Sequence, residues 1–416
     1  MTSRDRDILR ELARQVVDIA ALPVQSERRE LWKQHNSLRS PHPMILVFPE
    51  GSWVELLTDR DLQCEGDEAR AAERALRRRI YGHEHFKDDT VVEREWVVHK
   101  VIRNTGWGLE VKRVPSTTAR GAWKFDPVIL EASDLKKLRF PEITHDEGAT
   151  EAAMDQATDL FGDILDVRLN GVDRVAYHLM SQYTDWRGLE EMMVDMCLEP
   201  QMLHDAMAFL EEGHHRILKQ HIDQNLLSLN NDSTYNSTGG NGYTDELPAS
   251  GFDPEHVRPC DLWANAEAQE LAQVGPEQHA EFAMQYEKRL LEPFGLTGYG
   301  CCEDLSRKMD DVFTIPGIRR ISISPFADVD VSARKLRGNY IYSWKPRPWD
   351  LTDNFHEERI RGYLRHTIEV ALDHGCVLEM ILKDTHTCEH HVERFDRWTE
   401  IAREEVDRVT ELELAN

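Results

Sequence analysis

Two adjacent thiols, Cys301 and Cys302, follow Gly298-Tyr299-Gly300 and precede Glu303-Asp304-Leu305, between a short apolar segment and a helical one. A helix N-terminus favours thiolate over thiol, so the pair has the placement of a nucleophile or of a soft-metal ligand. A third thiol, Cys388, lies in the run 383–391, also just past an apolar segment, with His386, His390 and His391 around it. Thiolate and imidazole, with a carboxylate to complete the shell, suit zinc, which makes Cys301, Cys302, His386 and Cys388 the candidate metal ligands. The spacing is not that of a zinc finger, and the two segments meet only in a fold that gathers strand ends. Lys383, Asp384 and Glu267 are the candidates for acid–base work, and Asp232, Tyr299 and Trp344 those for substrate contact. A plainer reading stands beside each: buried thiols, a salt bridge at a strand end, a helix cap, loop solvation, aromatic packing. No Gly-x-Ser-x-Gly elbow, His-Glu-x-x-His helix or phosphate-binding glycine spacing occurs, and the glycine-rich run 238–242 reads as a loop.

The elements that would position these groups alternate from about residue 150 onward. Apolar periodicity predicts helices at 151–160, 186–197, 200–220, 276–291, 305–311, 327–336, 354–374 and 391–414. Between them fall predicted strands at 226–230, 296–300, 319–324, 340–343 and 377–382. Polar residues follow these strands directly: Asn230-Asn231-Asp232, Cys301-Cys302-Glu303, Ser324-Pro325, Trp344-Lys345 and Lys383-Asp384. In a closed parallel barrel all such strand ends converge on one face. The expected fold is therefore α/β, a (β/α)8 TIM barrel over residues 96–416 with an N-terminal helical and β extension over residues 1–95. The extension reads as helices at 8–19, 27–35 and 68–81 around a short strand at 44–48; segments 96–102, 109–114 and 123–130 alternate as strands or hairpins do.

Composition narrows the partners. With 76 acidic and 50 basic residues the net charge is −26, which leaves no basic stripe for nucleic acid and disfavours an anionic membrane surface. An apolar content of 40% is ample for a core, and no run approaches the roughly 18 apolar residues that span a bilayer. Seven cysteines, an odd number, beside an N-terminal segment without an apolar signal region, predict reduced thiols and a cytoplasmic protein. On that view the sequons at 231–233 and 236–238 are chance matches.

The stretches 261–305, 318–348 and 379–388 together resemble the uroporphyrinogen decarboxylase superfamily, in particular its branch allied to corrinoid-dependent methyltransferases. The resemblance implies a (β/α)8 barrel with a zinc ion held by a His-x-Cys pair after one strand and a further cysteine after the last. Those positions fall here on Tyr299-Gly300-Cys301, or one residue on at Cys302, and on Cys388. Tyr299 stands where the family has histidine, so Cys302, Glu303 or His386 would have to supply that ligand. The arginine-rich N-terminal segment of the decarboxylases proper is absent, so porphyrinogen decarboxylation is not expected. What is implied is methyl transfer from a small methylated substrate, with zinc as Lewis acid, to a corrinoid carried by a separate partner protein. No Asp-x-His-x-x-Gly motif is present to hold a corrinoid in this chain. Two other readings use the same strand ends: a metal-free decarboxylase or lyase working through Asp232, Lys383 and Asp384, and a non-catalytic barrel binding a small molecule at Trp344 and Tyr299. The oligomeric state is left open.

Overall fold

The computed structural model describes residues 1–39, 42–117, 124–236, 239–352 and 355–414, with side chains through Thr410. The expected strand at 123–130 and helix at 354–374 begin on residues outside that set, and the second sequon lies partly outside it.

Seven parallel strands form one sheet: β1 (Met44–Val47), β2 (Ala176–Tyr177), β3 (Trp263–Ala266), β4 (Leu296–Tyr299), β5 (Ile318–Ile323), β6 (Ile341–Trp344) and β7 (Val377–Leu382). Their order across the sheet is β1-β7-β6-β5-β4-β3-β2. Parallel neighbours need crossover connections, and helices supply them, such as Val329–Leu336 between β5 and β6 and Glu357–Asp373 between β6 and β7. Met44–Val47 falls within the expected N-terminal extension, yet it is an edge strand of this sheet, paired with β7 from Met44↔Glu379 to Val47↔Leu382. Glu95–His99 and Asp166–Asn170 form a separate parallel pair. Among the described residues no ladder joins β1 to β2, and no helix is long and apolar enough to cross a membrane.

Three expected elements take a different local form. The strand at 226–230 is reduced to a single bridge, Val172↔Leu227. Beyond it the side chain of Asn230 does the pairing: its Nδ2 donates to the carbonyls of Asp173 and Trp263, both at 2.9 Å, and its Oδ1 accepts from the Trp263 amide at 3.0 Å. A side-chain amide thus replaces a peptide group in the ladder. The helix at 276–291 is interrupted by a π-helical turn at Ala280–Met284. The helix at 305–311 shortens to Met309–Val312.

The two faces of the sheet differ in character, because residues two apart on a strand share a face. One face carries Ile45, Ala264, Tyr299, Ile321, Tyr342, Trp344 and Met380 into the main apolar core against the helices. The other begins with Trp263, Leu296, Ile341 and Val377, packed on Leu247. It then turns polar with Asn265, Arg320, Ser343 and Glu379, all buried. Arg320 Nε lies 2.9 Å from Glu379 Oε1 across β6. Asn36 Oδ1 accepts from Arg320 Nη2 at 2.7 Å, and His35 Nε2 meets Glu379 Oε2 at 3.2 Å, so the helix Pro23–Asn36 is fastened to this face. Burial pushes the Glu379 carboxyl up, but Arg320 and His35 outweigh it and bring it down to about 2. Burial lowers His35, which therefore serves as a neutral donor and not as a second cation.

Replacing one partner of a buried pair strands the other charge, at a cost of about 3–5 kcal/mol. Glu379→Gln is expected to lower the unfolding free energy measured by urea titration by that amount; a loss below about 1 kcal/mol, within the range of an exposed pair, would contradict the packing described.

Candidate active site at the C-terminal strand ends

The chain leaves β4 through Gly300, whose φ of +93° suits glycine; a Cβ there would sit 2.5 Å from Leu305. This turn delivers Cys301 and Cys302, half-buried, with their sulfurs 3.6 Å apart. The Cys301 amide donates to Glu303 Oε2 at 2.8 Å, and Ser322 Oγ donates to the Cys301 carbonyl at 2.9 Å, so the turn is pinned from both sides. Lys383, at the end of β7, holds its ammonium 3.9 Å from Cys301 Sγ, and Asp384 Oδ2 lies 3.8 Å from Cys302 Sγ. Lys383 Nζ and Asp384 Oδ1 are 3.7 Å apart. Asp384 has a φ of +59°, uncommon for a residue with a side chain, and its amide donates to Glu50 Oε2 at 2.9 Å just past β1. The ends of β1, β4 and β7 thus meet around the two thiols.

The two sulfurs titrate as a pair. Their mutual hydrogen bond lowers Cys302 and raises Cys301, which burial raises further, while Lys383 favours the thiolate form of both. Burial works against the Lys383 charge, but Tyr235, Cys301 and Asp384 outweigh it and hold the ammonium. The geometry sets two hydrogen-bonded sulfurs, of which Cys302 gives up its proton the more readily, beside a fixed cation.

A carboxylate group flanks this centre. Glu267, buried after β3, places Oε1 2.6 Å from Nδ1 of His178, the residue after β2, and its Oε2 accepts from the Gln269 amide at 2.8 Å. Burial opposes the His178 charge, yet Glu267 carries it above the usual histidine value. Burial and then Glu267 push Glu270 up to about 7, and the same two causes raise Glu303. Two carboxyls of raised proton affinity thus stand with the His178–Glu267 pair.

Of the residues expected from sequence, Cys301, Cys302, Lys383 and Asp384 come together, with Glu267 alongside. Tyr299 and Trp344 do not join them. Strand alternation turns both to the helix-covered face, where the Tyr299 hydroxyl donates to Glu287 Oε2 at 2.8 Å and Trp344 packs on Tyr363 with ring centres 4.9 Å apart. Their strand neighbours Gly300, Ser343 and Lys345 occupy the polar face instead. Asp232 folds its carboxylate back on Thr234, accepting from the amide at 2.8 Å and the hydroxyl at 2.6 Å. Cys388 is buried in the apolar core, its sulfur 3.1 Å from Glu55 Oε2. Glu55 also accepts from Thr387 Oγ1 at 2.6 Å and from the amides of Cys388 and His390, both at 3.0 Å. His386 is exposed.

The zinc set implied by the resemblance therefore does not fit. Its cysteine after the last strand is bound to Glu55, its histidine position is a tyrosine on the opposite face, and a lysine ammonium stands beside Cys301. Among the described residues no group of three or more His, Cys, Asp or Glu side chains is placed to hold a metal ion.

Four participants were not picked out from sequence. His178 follows a strand of two residues, too short to show a pattern. Tyr235 and Glu270 sit in polar runs. Glu50 had a signal: it lies just past the apolar run at 44–48, in the setting that singled out Lys383.

No family model matches the sequence. No curated protein matches it at a significant level either. Among solved structures the chain is similar to a methyltransferase from Methanosarcina mazei, at 10% identity and a TM-score of 0.38, over 64% of this chain and 72% of that one. So loose a superposition leaves function to be argued from the site.

Burial raises Cys64, Cys376 and Cys388 to about 12, so at pH 7 they are thiols and unreactive. Brief treatment with iodoacetamide at pH 7 is expected to alkylate the Cys301–Cys302 peptide and spare those three, as read by peptide mass spectrometry. Lys383→Met should slow that alkylation. Equal labelling of Cys388 would show that the Glu55 contact does not hold it.

Proposed function

We propose that the sheet and its helices form a (β/α)8-type barrel enzyme that removes a methyl group from a small methylated compound at the Cys301–Cys302 edge. The observation that carries this reading is the thiol pair, 3.6 Å apart, beside the Lys383 ammonium and the Asp384 carboxylate at the strand ends. Strand C-termini are where reactive groups gather in such barrels. Asp384 and Glu267, with Cys302 the more readily ionised sulfur, give the edge negative charge, which favours a methyl donor whose heteroatom is positively charged when the methyl leaves. An ammonium or sulfonium donor carries that charge already. A neutral amine or ether acquires it by protonation, and His178, aligned by Glu267, is the group placed to give the proton. Glu270, titrating near 7, is placed to replenish it. The acceptor implied by the resemblance is a corrinoid on a partner protein, which supplies a strong nucleophile for the methyl group.

Free cob(I)alamin serves as the probe acceptor, with a panel of methylated amines, ethers and thioethers as donors and methylcobalamin absorbance as readout. Turnover of at least one donor is expected, and His178→Ala should cost about a hundredfold with a neutral donor. The double variant C301A/C302A should be inactive while keeping its fold. Unchanged turnover in that variant, or none with any donor in the wild type, would refute the reading.

A further inference from the structure

Next to the two thiols stands a group of hydrogen-bond donors that the reaction sketched above does not use. Tyr235 packs its ring on Phe48, with centres 4.5 Å apart, and its hydroxyl is fully buried without a partner among the described residues. The charges it faces are Lys383, Cys301, Glu50 and Asp384, which places it at the ends of β1, β4 and β7. Burial pushes the phenol up to about 12, so it remains a donor. The next residue, Asn236, is 4% exposed; its Oδ1 accepts from Asn265 on the polar face at 3.4 Å, and its Nδ2 has no partner. A buried donor left unmade costs about 1–3 kcal/mol, so two in succession beside a site point to an acceptor brought by a ligand.

The neighbouring charge says what kind of acceptor. Water would satisfy a hydroxyl, but the Lys383 ammonium beside it draws an anion. The one protein carboxylate within 4 Å of that ammonium among the described residues is Asp384, at 3.7 Å, which is too long for a good hydrogen bond. Two acids face the same point. Asp384 is turned toward Cys302, and Glu50, whose carboxyl burial and then Asp384 raise, is engaged with the Asp384 amide.

We infer that Lys383 and Tyr235, with Asn236 beyond them, form a subsite for a carboxylate carried by the substrate, which makes the methyl donor a small methylated carboxylic acid. This rests on the site proposed above and deepens it by naming the far end of the substrate. Such a donor places its anion on Lys383 and the Tyr235 hydroxyl, and its methyl-bearing atom toward the thiolate and the acids.

The test uses the thiols and needs no knowledge of the substrate. Iodoacetate and iodoacetamide alkylate a thiolate by the same step, in which an S–C bond forms as iodide leaves, and they differ only in the carboxylate. The ratio of their rates at the Cys301–Cys302 peptide is measured by mass spectrometry against the ratio at exposed Cys197 in the same protein. A carboxylate subsite is expected to raise that ratio about tenfold, as a hydrogen bond to a charged group would. Tyr235→Phe should return it toward the Cys197 value, with neutral iodoacetamide reacting as before, and Asn236→Ala should lower it by less. Added acetate should slow iodoacetate selectively. A wild-type ratio at or below that of Cys197, or one untouched by Tyr235→Phe, would overturn the subsite. That result would leave methyl transfer standing if neutral donors methylate cob(I)alamin. A raised ratio in a protein that transfers no methyl group would keep the subsite and remove the transfer.

Discussion

The buried pair of Arg320 and Glu379 is the constraint on which the rest of the architecture hangs. It spans β6, so it fixes β5 and β7 at one separation, and it draws in Asn36, His35 and the Asn241 carbonyl as further partners. A charge pair in a sheet interior is costly unless surrounding groups meet its donors and acceptors; here Arg320 Nη2 and Glu379 Oε2 are met, while Arg320 Nη1 has no hydrogen-bond partner among the described residues. That requirement explains why a helix from the first forty residues and a loop after residue 235 converge on the polar face of strands that come much later in the chain. Gly239 and Gly240 make the approach possible: a Cβ on Gly240 would lie 2.5 Å from Arg320 Nη2, and one on Gly239 would lie 2.6 Å from Lys345 Nζ. The glycines are there for contact between backbone and charge.

Above that pair the same face carries Lys345 and then Lys383, and the order is a consequence of strand period. On β7 the residues 379, 381 and 383 share a face, so an ion pair at the first fixes where the ammonium at the third must point. Its position beside Cys301 depends in turn on Gly300, which lets the chain turn sharply out of β4. On the other side Asp384 bends back at positive φ, held by the Glu50 carboxylate that accepts its amide. A residue with a side chain held at positive φ beside a pair of thiols is characteristic of a site whose geometry is imposed by its surroundings.

Much of this was legible in the sequence, and the misses share a cause. The alternation of apolar segments gave most strands of the sheet and the junctions at Cys301 and Lys383, because burial on both faces leaves a strong pattern and polar residues end it abruptly. Tyr299 and Trp344 were misplaced because proximity to a strand end says nothing about which face a residue takes; one position of phase separates Trp344, in the core, from Lys345 on the polar face. Cys388 was misplaced because its partner, Glu55, lies more than three hundred residues earlier, in a segment read as an extension. The edge strand Met44–Val47 explains both that error and the oversight of Glu50. Among the described residues it belongs to the sheet through β7 alone, a pairing that local pattern cannot reveal.

The thiol pair also has a chemical logic of its own once its counter-charge is identified. A cation that coordinates a thiolate takes up a sulfur lone pair at about 2.3 Å and sets a geometry for its other ligands. An ammonium 3.9 Å away makes no such demand: it lowers the energy of the thiolate and leaves the sulfur free to face a ligand. The second thiol plays a complementary part, since a hydrogen bond between two sulfurs places the charge on one and the proton on the other. Charge can shift between Cys301, on the lysine side, and Cys302, on the aspartate side, with little movement of either atom. Because Asp384 repels a negative Cys302 while Lys383 attracts a negative Cys301, anything that changes the balance between those two residues moves the thiolate from one sulfur to the other. A ligand carboxylate on Lys383 would tip that balance further by drawing down the ammonium's field at Cys301. The negative charge would then be held more firmly on Cys302, the sulfur that the hydrogen bond between the two already favours.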